Sequence, residues 1–275
     1  SSADGTILRP TLIPPPSDAH KYSRGHAMVW SGPALHTGAS RLSAQAALAV
    51  GAGLVTIVGE RAALAEHAAH VTAIMLREAS PAFDFVDDRV SAFAIGPGAG
   101  AGAQQAVLKV LGCHVPTVLD ADALTAFEKH PELLFNAVAS TDVMTPHLGE
   151  FQRIFPDIKL EDRQKAVSRA AERAQCVVLL KGAETCIAAP DGRYLVNHHA
   201  SPWLATAGSG DVLTGLICGL LAQGVPSFDA AAIATWLHGD IGVRAGPGLT
   251  ADSMIGHIPL VLRGCLNDAW GHVSG

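Results

Sequence analysis

Short, uninterrupted aliphatic runs recur along the chain, and the last four of them end in Gly, Pro or Asp. They are HAMVW at 26–30, LVTIV at 54–58, SAFAIG at 91–96, PTVLD at 116–120, TDVMTP at 141–146 and CVVLLKG at 176–182. A strand with one wet face alternates apolar and polar residues. Runs without alternation predict strands covered on both faces. Helical spacing fills the gaps: SRLSAQAALAVGAG at 40–53, EFQRIF at 150–155 and EDRQKAVSRAAERAQ at 161–175. Strand and helix in alternation predict an α/β fold with a central, mostly parallel sheet and helices on both faces. TCIAAPDGRYLVN at 185–197 breaks the pattern, because two β-rich runs around Pro-Asp-Gly-Arg predict a hairpin. Two long apolar helices follow, GDVLTGLICGLLAQG at 210–224 and FDAAAIATWLHGDIGVRA at 228–245. Residues 1–19 form an extended Pro-rich lead-in, and 20–275 are expected to be a single catalytic domain.

Composition narrows the function classes. Of 275 residues, 49% are hydrophobic and only 16% charged, so the chain can bury a large core. A net charge of −6 gives no basic footprint for nucleic acid, and no apolar run is long enough to span a bilayer. Neither nucleic acid nor membrane is expected as a partner. Five scattered cysteines without a C-x-x-C pair fit a reducing, cytoplasmic setting. Cys176, Cys186 and Cys218 stand in apolar contexts and are expected to be buried.

Parallel sheets bind ligands at the carboxyl ends of their strands, so the residues after each apolar run carry the chemistry. Gly96 to Gly100 lie in the Gly-rich IGPGAGAG, where a tight turn and a ligand loop are both open readings; Pro97 fits a dinucleotide fingerprint poorly. In DADAL, Asp122 suits a helix cap, and one of Asp120 and Asp122 remains for a metal or polar substrate. His147 in TPHLGE is either structural or a ligand contact. Lys181 leaves an apolar strand and either reaches solvent or meets an anion. In TAGSGD, Gly208, Ser209 and Gly210 precede an apolar helix and expose successive amides, an anion hole suited to phosphate. A first-turn acid explains Asp211 but not its glycine neighbours. Asp211 beside a held phosphate is placed to take a proton from an attacking hydroxyl.

In this order the motifs HKYSRG, TGAS with AQAALAVGAGLVTI, IGPGAG, DADAL, TPHLGE, LLKGAET and ATAGSGDVLTG resemble the ADP- or ATP-dependent NAD(P)H-hydrate dehydratases of the ribokinase-like superfamily. The resemblance spans roughly residues 20–265. It departs at WSGPALHTGA, where the family usually carries Gly-Gly-Ser, and at Tyr22, where Gly is common. It implies ADP or ATP held by Lys181, Gly182, Ala183, Glu184, Thr185 and Gly210, and hydrated NADH or NADPH contacted by Ala39, Gly100, His147 and Asp211. It implies Mg²⁺ on the phosphates, with Glu150 an indirect partner, and a homotetramer. Asp211 is then the catalytic base of a phosphorylation followed by phosphate elimination. The runner-up is a small-molecule kinase of a vitamin-precursor alcohol, and a nucleotide sensor without turnover is the third reading.

Overall fold

The computed structural model describes residues 1–100 and 102–266. Ala101 in the Gly-rich loop and residues 267–275, the end of the expected domain, lie outside the described residues. The elements in chain order are β1 (His26–Trp30), α1 (Gly38–Ala49), β2 (Leu54–Gly59), α2 (Arg61–Ala68), β3 (Met75–Glu78), β4 (Val90–Ile95), α3 (Ala103–Gly112), β5 (Thr117–Leu119), α4 (Asp122–Thr125), α5 (Pro131–Phe135), β6 (Val143–Met144), α6 (Leu148–Ile154), α7 (Arg163–Ala174), β7 (Val177–Leu180), β8 (Thr185–Ala188), β9 (Tyr194–Asn197), α8 (Ser209–Ala222), α9 (Ser227–Ala245) and α10 (Ala251–Arg263).

The strands form one nine-stranded sheet in the order β3-β2-β1-β4-β5-β6-β7-β8-β9. Pairing is parallel from β3 through β7 and antiparallel across β7-β8-β9, the hairpin expected from the Pro-Asp-Gly-Arg turn. Each sheet face carries its own core. On one, Val29, Ile57 and Leu179 pack under α1, α8, α9 and α10. On the other, Phe93, Leu119 and Leu180 pack under α3, α6 and α7. Adjacent residues such as Leu179 and Leu180 serve opposite cores, which is why the strand sequences do not alternate.

Two departures from the sequence pattern have plain causes. Strand β3, MLRE, is an edge strand, largely exposed and charged, so it carries no aliphatic run. The Pro-rich lead-in is extended but fastened. Ile7 donates to the Val196 carbonyl at 2.9 Å and buries its side chain in the core, and Leu12 donates to the Cys265 carbonyl at 2.7 Å. Cys176, Cys186 and Cys218 are buried, as is Cys265.

Helix α8 fixes the geometry that matters for the site. A Cβ on Gly215 would lie 2.2 Å from the Ser43 carbonyl, and one on Gly219 would lie 2.3 Å from Val50 Cγ1. These glycines let α8 press directly onto α1. Ser43 donates from its hydroxyl to the Asp211 carbonyl at 2.7 Å, which locks the first turn of α8 to α1.

Candidate active site

Ladder-like hydrogen bonds continue one residue past several strands and align their carboxyl ends. Asp120 donates its amide to Ile95 at 3.1 Å, Thr145 to Leu119 at 3.0 Å and Lys181 to Pro146 at 2.9 Å. Gly96 sits so close to the next strand end that a Cβ would lie 1.6 Å from the Asp120 carbonyl, and its φ of +132° also suits only glycine. The result is a row of strand ends with their following side chains gathered above the sheet.

At the centre of that row Lys181 Nζ meets Asp120 Oδ1 at 2.9 Å. Thr214, from the second turn of α8, donates its hydroxyl to Asp120 Oδ2 at 3.1 Å. Asp120 is nearly fully buried, and both carboxylate oxygens are engaged. Of the two readings of Lys181, neither is complete: the ammonium is largely withdrawn from solvent and already shares its charge with a carboxylate. It also overlies the start of α8, 3.3 Å from where a Cβ on Gly210 would stand.

Asp211 is different. Among the described residues no side chain or amide engages its carboxylate. Burial, with the Asp120 charge nearby, pushes its pKa up to about 6, and Lys181 partly offsets the rise. An acid with a raised pKa and a free carboxylate is suited to accept a proton near neutral pH.

Glycine makes the turn ahead of it. Gly208 is the N-cap of α8 with φ +86°, and a Cβ there would lie 2.8 Å from Ala251 Cβ and 2.9 Å from Leu42 Cδ1. The starts of α8 and α10 and the second turn of α1 therefore meet at one point. The Ser209 amide departs from expectation: it donates to the Thr206 carbonyl at 3.2 Å. The amides of Gly208 and Gly210 have no acceptor among the described residues, so two amides rather than the expected three are open to an anion. The Ser209 hydroxyl lies against His238 at 2.9 Å.

A second group of predicted residues lies over β1 and β4. The Gly98 backbone packs against the His36 carbonyl and Ala39 Cβ, so the Gly-rich loop and the start of α1 form one wall. The atypical 31–38 stretch is held by a polar chain in which Ser31, Thr37 and His67 are buried. Arg41 donates to Thr37 Oγ1 at 3.1 Å, and Glu66 accepts from the Thr37 hydroxyl and the Leu35 amide. His67 Nδ1 lies 3.2 Å from the Arg41 guanidinium, which can only donate, so Nδ1 accepts and Nε2 carries the proton to Ser31 at 2.8 Å. Gly100 donates to Asp122 Oδ2 at 2.7 Å. Asp122 is thus in the first turn of α4 rather than its cap, a place taken by Ala121. Gly100 and Asp122 border a cleft of about 690 Å³ with Gln104, Gln105 and Thr125.

His147 has the structural role that is one of its two open readings. It caps α6: Nδ1 accepts from the Glu150 amide at 3.1 Å, and Glu150 Oε1 accepts from the His147 amide at 3.0 Å. Its side chain nevertheless stays 58% exposed, while that of Glu150 is buried beneath it. The Gly182–Thr185 loop sits at the other end of the row, after β7. Glu184 pairs with His198 at 3.0 Å. Arg163, which the sequence pattern did not single out, donates to the Glu184 carbonyl at 3.1 Å and lies over Gly182.

No three His, Cys, Asp or Glu side chains converge as a metal cage among the described residues. Of the inward carboxylates, Asp120 and Glu150 are committed to hydrogen bonds and Asp211 is left open. Such a donor set fits a magnesium ion carried mainly by ligand phosphates and water, the usual arrangement for that ion.

Comparison with known proteins agrees with this geometry. A family model described as NAD(P)H-hydrate dehydratase matches residues 27–257. The chain is 40% identical over 242 residues to the bifunctional NAD(P)H-hydrate repair enzyme Nnr of Synechocystis sp., covering 84% of this chain and 46% of the relative. The chain spans about half the length of the curated relatives it matches. Among solved structures, a ribokinase-like superfamily protein from Enterococcus faecalis superposes with a TM-score of 0.81 at 26% identity, covering 92% of both chains. The ADP/ATP-dependent NAD(P)H-hydrate dehydratase of Bacillus subtilis, co-crystallised with ATP and Mg²⁺, gives 0.78 at 27% identity, covering 93% of this chain and 95% of that one.

Proposed function

The chain belongs to the NAD(P)H-hydrate dehydratase family, and from that premise we propose that it uses ADP or ATP to dehydrate hydrated NADH or NADPH. The observation that carries the reading is the unpaired Asp211 carboxylate beside the open amides of Gly208 and Gly210. Asp211 takes the proton of the hydrate hydroxyl, whose oxygen attacks the terminal phosphoryl group of the nucleotide and displaces AMP from ADP or ADP from ATP. The two amides stabilise the charge on the transferring group. Phosphate then leaves with the former hydroxyl oxygen, a proton is lost from the neighbouring ring carbon, and the ring double bond returns.

The other residues divide between the two substrates. Lys181 and Gly210 face the phosphates, and Gly182, Ala183, Glu184 and Thr185 frame the rest of the nucleotide. Ala39, Gly100 and His147 contact the dinucleotide hydrate. With Asp120, Lys181 and Asp211 all ionised, the cluster carries a net charge of −1, which disfavours an incoming phosphate. Mg²⁺ arriving on the nucleotide would supply the neutralising charge. Glu150, whose Oε1 serves the α6 cap, would be its indirect partner through water. A homotetramer in the cytoplasm goes with this reading, and sedimentation in solution tests the assembly.

The family match favours the dehydratase over a small-molecule kinase, and product analysis separates the two. Phosphorus NMR of a reaction with hydrated NADH and ATP should show inorganic phosphate appearing in step with restored NADH. Accumulation of a stable phosphoester would instead support the kinase.

A further inference from the structure

Gly208 has no side chain with which to cap α8, so the turn that aims its own amide and that of Gly210 is held locally by backbone bonds such as Ser209 N–H to the Thr206 carbonyl and by no local side chain. The tie comes from another helix. His238, on α9, places Nε2 2.9 Å from the Ser209 carbonyl oxygen and 2.9 Å from the Ser209 hydroxyl oxygen, across 29 positions of sequence. A carbonyl oxygen only accepts, so Nε2 carries the proton and Nδ1 is bare. The hydroxyl oxygen accepts the second branch of the same N–H, and its own proton is left free to donate.

We propose that His238 is a positioning residue of the phosphoryl site: its neutral Nε2–H grips Ser209 by both oxygens and fixes the turn that presents the Gly208 and Gly210 amides. The ring keeps this form because burial lowers its pKa to about 4, and Lys181 acts in the same direction. An imidazolium would also stand at the positive end of α8. The tie acts through Ser209, so its loss loosens the turn without removing any group that touches substrate.

This inference rests on the phosphoryl-transfer reading of the Gly208–Asp211 turn. Contacts to a transferring group strengthen in the transition state, so their misplacement lowers kcat more than it raises KM. His238→Ala should lower kcat about tenfold to a hundredfold, the scale of a displaced catalytic group, with the KM for nucleotide changed less than about twofold. His238→Gln places an amide N–H at similar reach and should recover most of the loss. The variants are assayed with hydrated NADH, ATP and Mg²⁺, with thermal melts as the control for folding. A folded His238→Ala with wild-type kcat, or a folded His238→Gln no better than Ala, overturns the proposal.

Wild-type protein that restores no cofactor would remove the dehydratase reading instead. A second measurement stands apart from activity and from variant folding. Nitrogen-15 spectra of histidine-labelled wild-type protein should show a ring protonated at Nε2, bare at Nδ1 and not titrating from about pH 6 to pH 8, through the usual histidine range. A His238 ring protonated at Nδ1, or titrating near its ordinary value, overturns the proposal whatever the substrate.

Discussion

The ammonium of Lys181 lies 2.9 Å from the Asp120 carboxylate, 61 positions earlier in the chain. One cation therefore serves two acids: it neutralises the buried Asp120 directly and tempers Asp211 at a distance. Its position over Gly210 sets a cation beside the open amides of the turn.

Removing that cation has two effects. Lys181→Ala should weaken nucleotide binding, and it should also leave the Asp120 charge buried without its partner. A broken buried pair typically costs about 3 kcal/mol, which for a chain of this size is a drop in Tm of roughly 6–12 °C. Calorimetric titration with ATP and a thermal melt check the two separately; unchanged affinity removes Lys181 from the nucleotide site.

Asp211 sets an acid limb on activity. The base must be ionised, and its pKa lies at about 6, so kcat/KM should fall about tenfold per pH unit below that value. Stability runs the opposite way. The folded-state pKa is raised above the unfolded one, so the protonated folded form is favoured, and the contribution present below the ordinary Asp value is lost as pH rises through about 6. Asp211→Asn should therefore raise Tm above pH 7, with about 3 kcal/mol as the ceiling set by two pK units. A lower Tm at pH 8 contradicts the raised pKa.

The turn at Gly208 leaves no room for a methyl group. Gly208→Ala must adopt φ +86° and push against Ala251 and Leu42. A loss of about 2 kcal/mol is expected from the left-handed conformation and overpacking together. Turnover should fall further than stability, because the amides move. Wild-type kcat in this variant shows that the turn is not the phosphoryl site.

On the proposed reading His147 has two separable roles. His147→Ala removes half of the α6 capping box, worth about 1 kcal/mol. It should also raise the KM for the hydrate while leaving nucleotide affinity unchanged. Replacement by Asn, a good cap without the ring, should restore the stability but not the KM. Recovery of both would make His147 a cap only.

The sheet was legible where its strands are buried on both faces. Runs such as CVVLLKG and SAFAIG stand out because each residue serves one core or the other. Strand β3 was not, because MLRE lies at the edge and faces water. Helix α10 was also missed; its Thr250–Ser253 capping box uses Ser in the place usually held by Glu or Gln, and Pro259 interrupts its interior. In the site, glycines before an apolar helix marked the Gly208–Asp211 turn, since only backbone chemistry is needed there. The Lys181–Asp120 pair and the His238–Ser209 tie could not be read that way. Each joins residues on separate elements, and their meeting follows from the strand order β5-β6-β7 and the packing of α9 on α8. The engagement of the Ser209 amide by Thr206 is likewise a detail of the folded turn.

The central claim is that Asp211 activates the hydrate hydroxyl for phosphoryl transfer. The direct measurement follows the reduced-nicotinamide absorbance of hydrated NADH mixed with ADP or ATP and Mg²⁺, for wild type and Asp211→Asn side by side, with nucleotide affinity measured on both. The account predicts recovery of absorbance with wild type, a loss of at least about a thousandfold in the variant, as for removal of an essential base, and similar nucleotide affinity in the two. Recovery by Asp211→Asn at the wild-type rate, or none by wild type with either nucleotide, would contradict it.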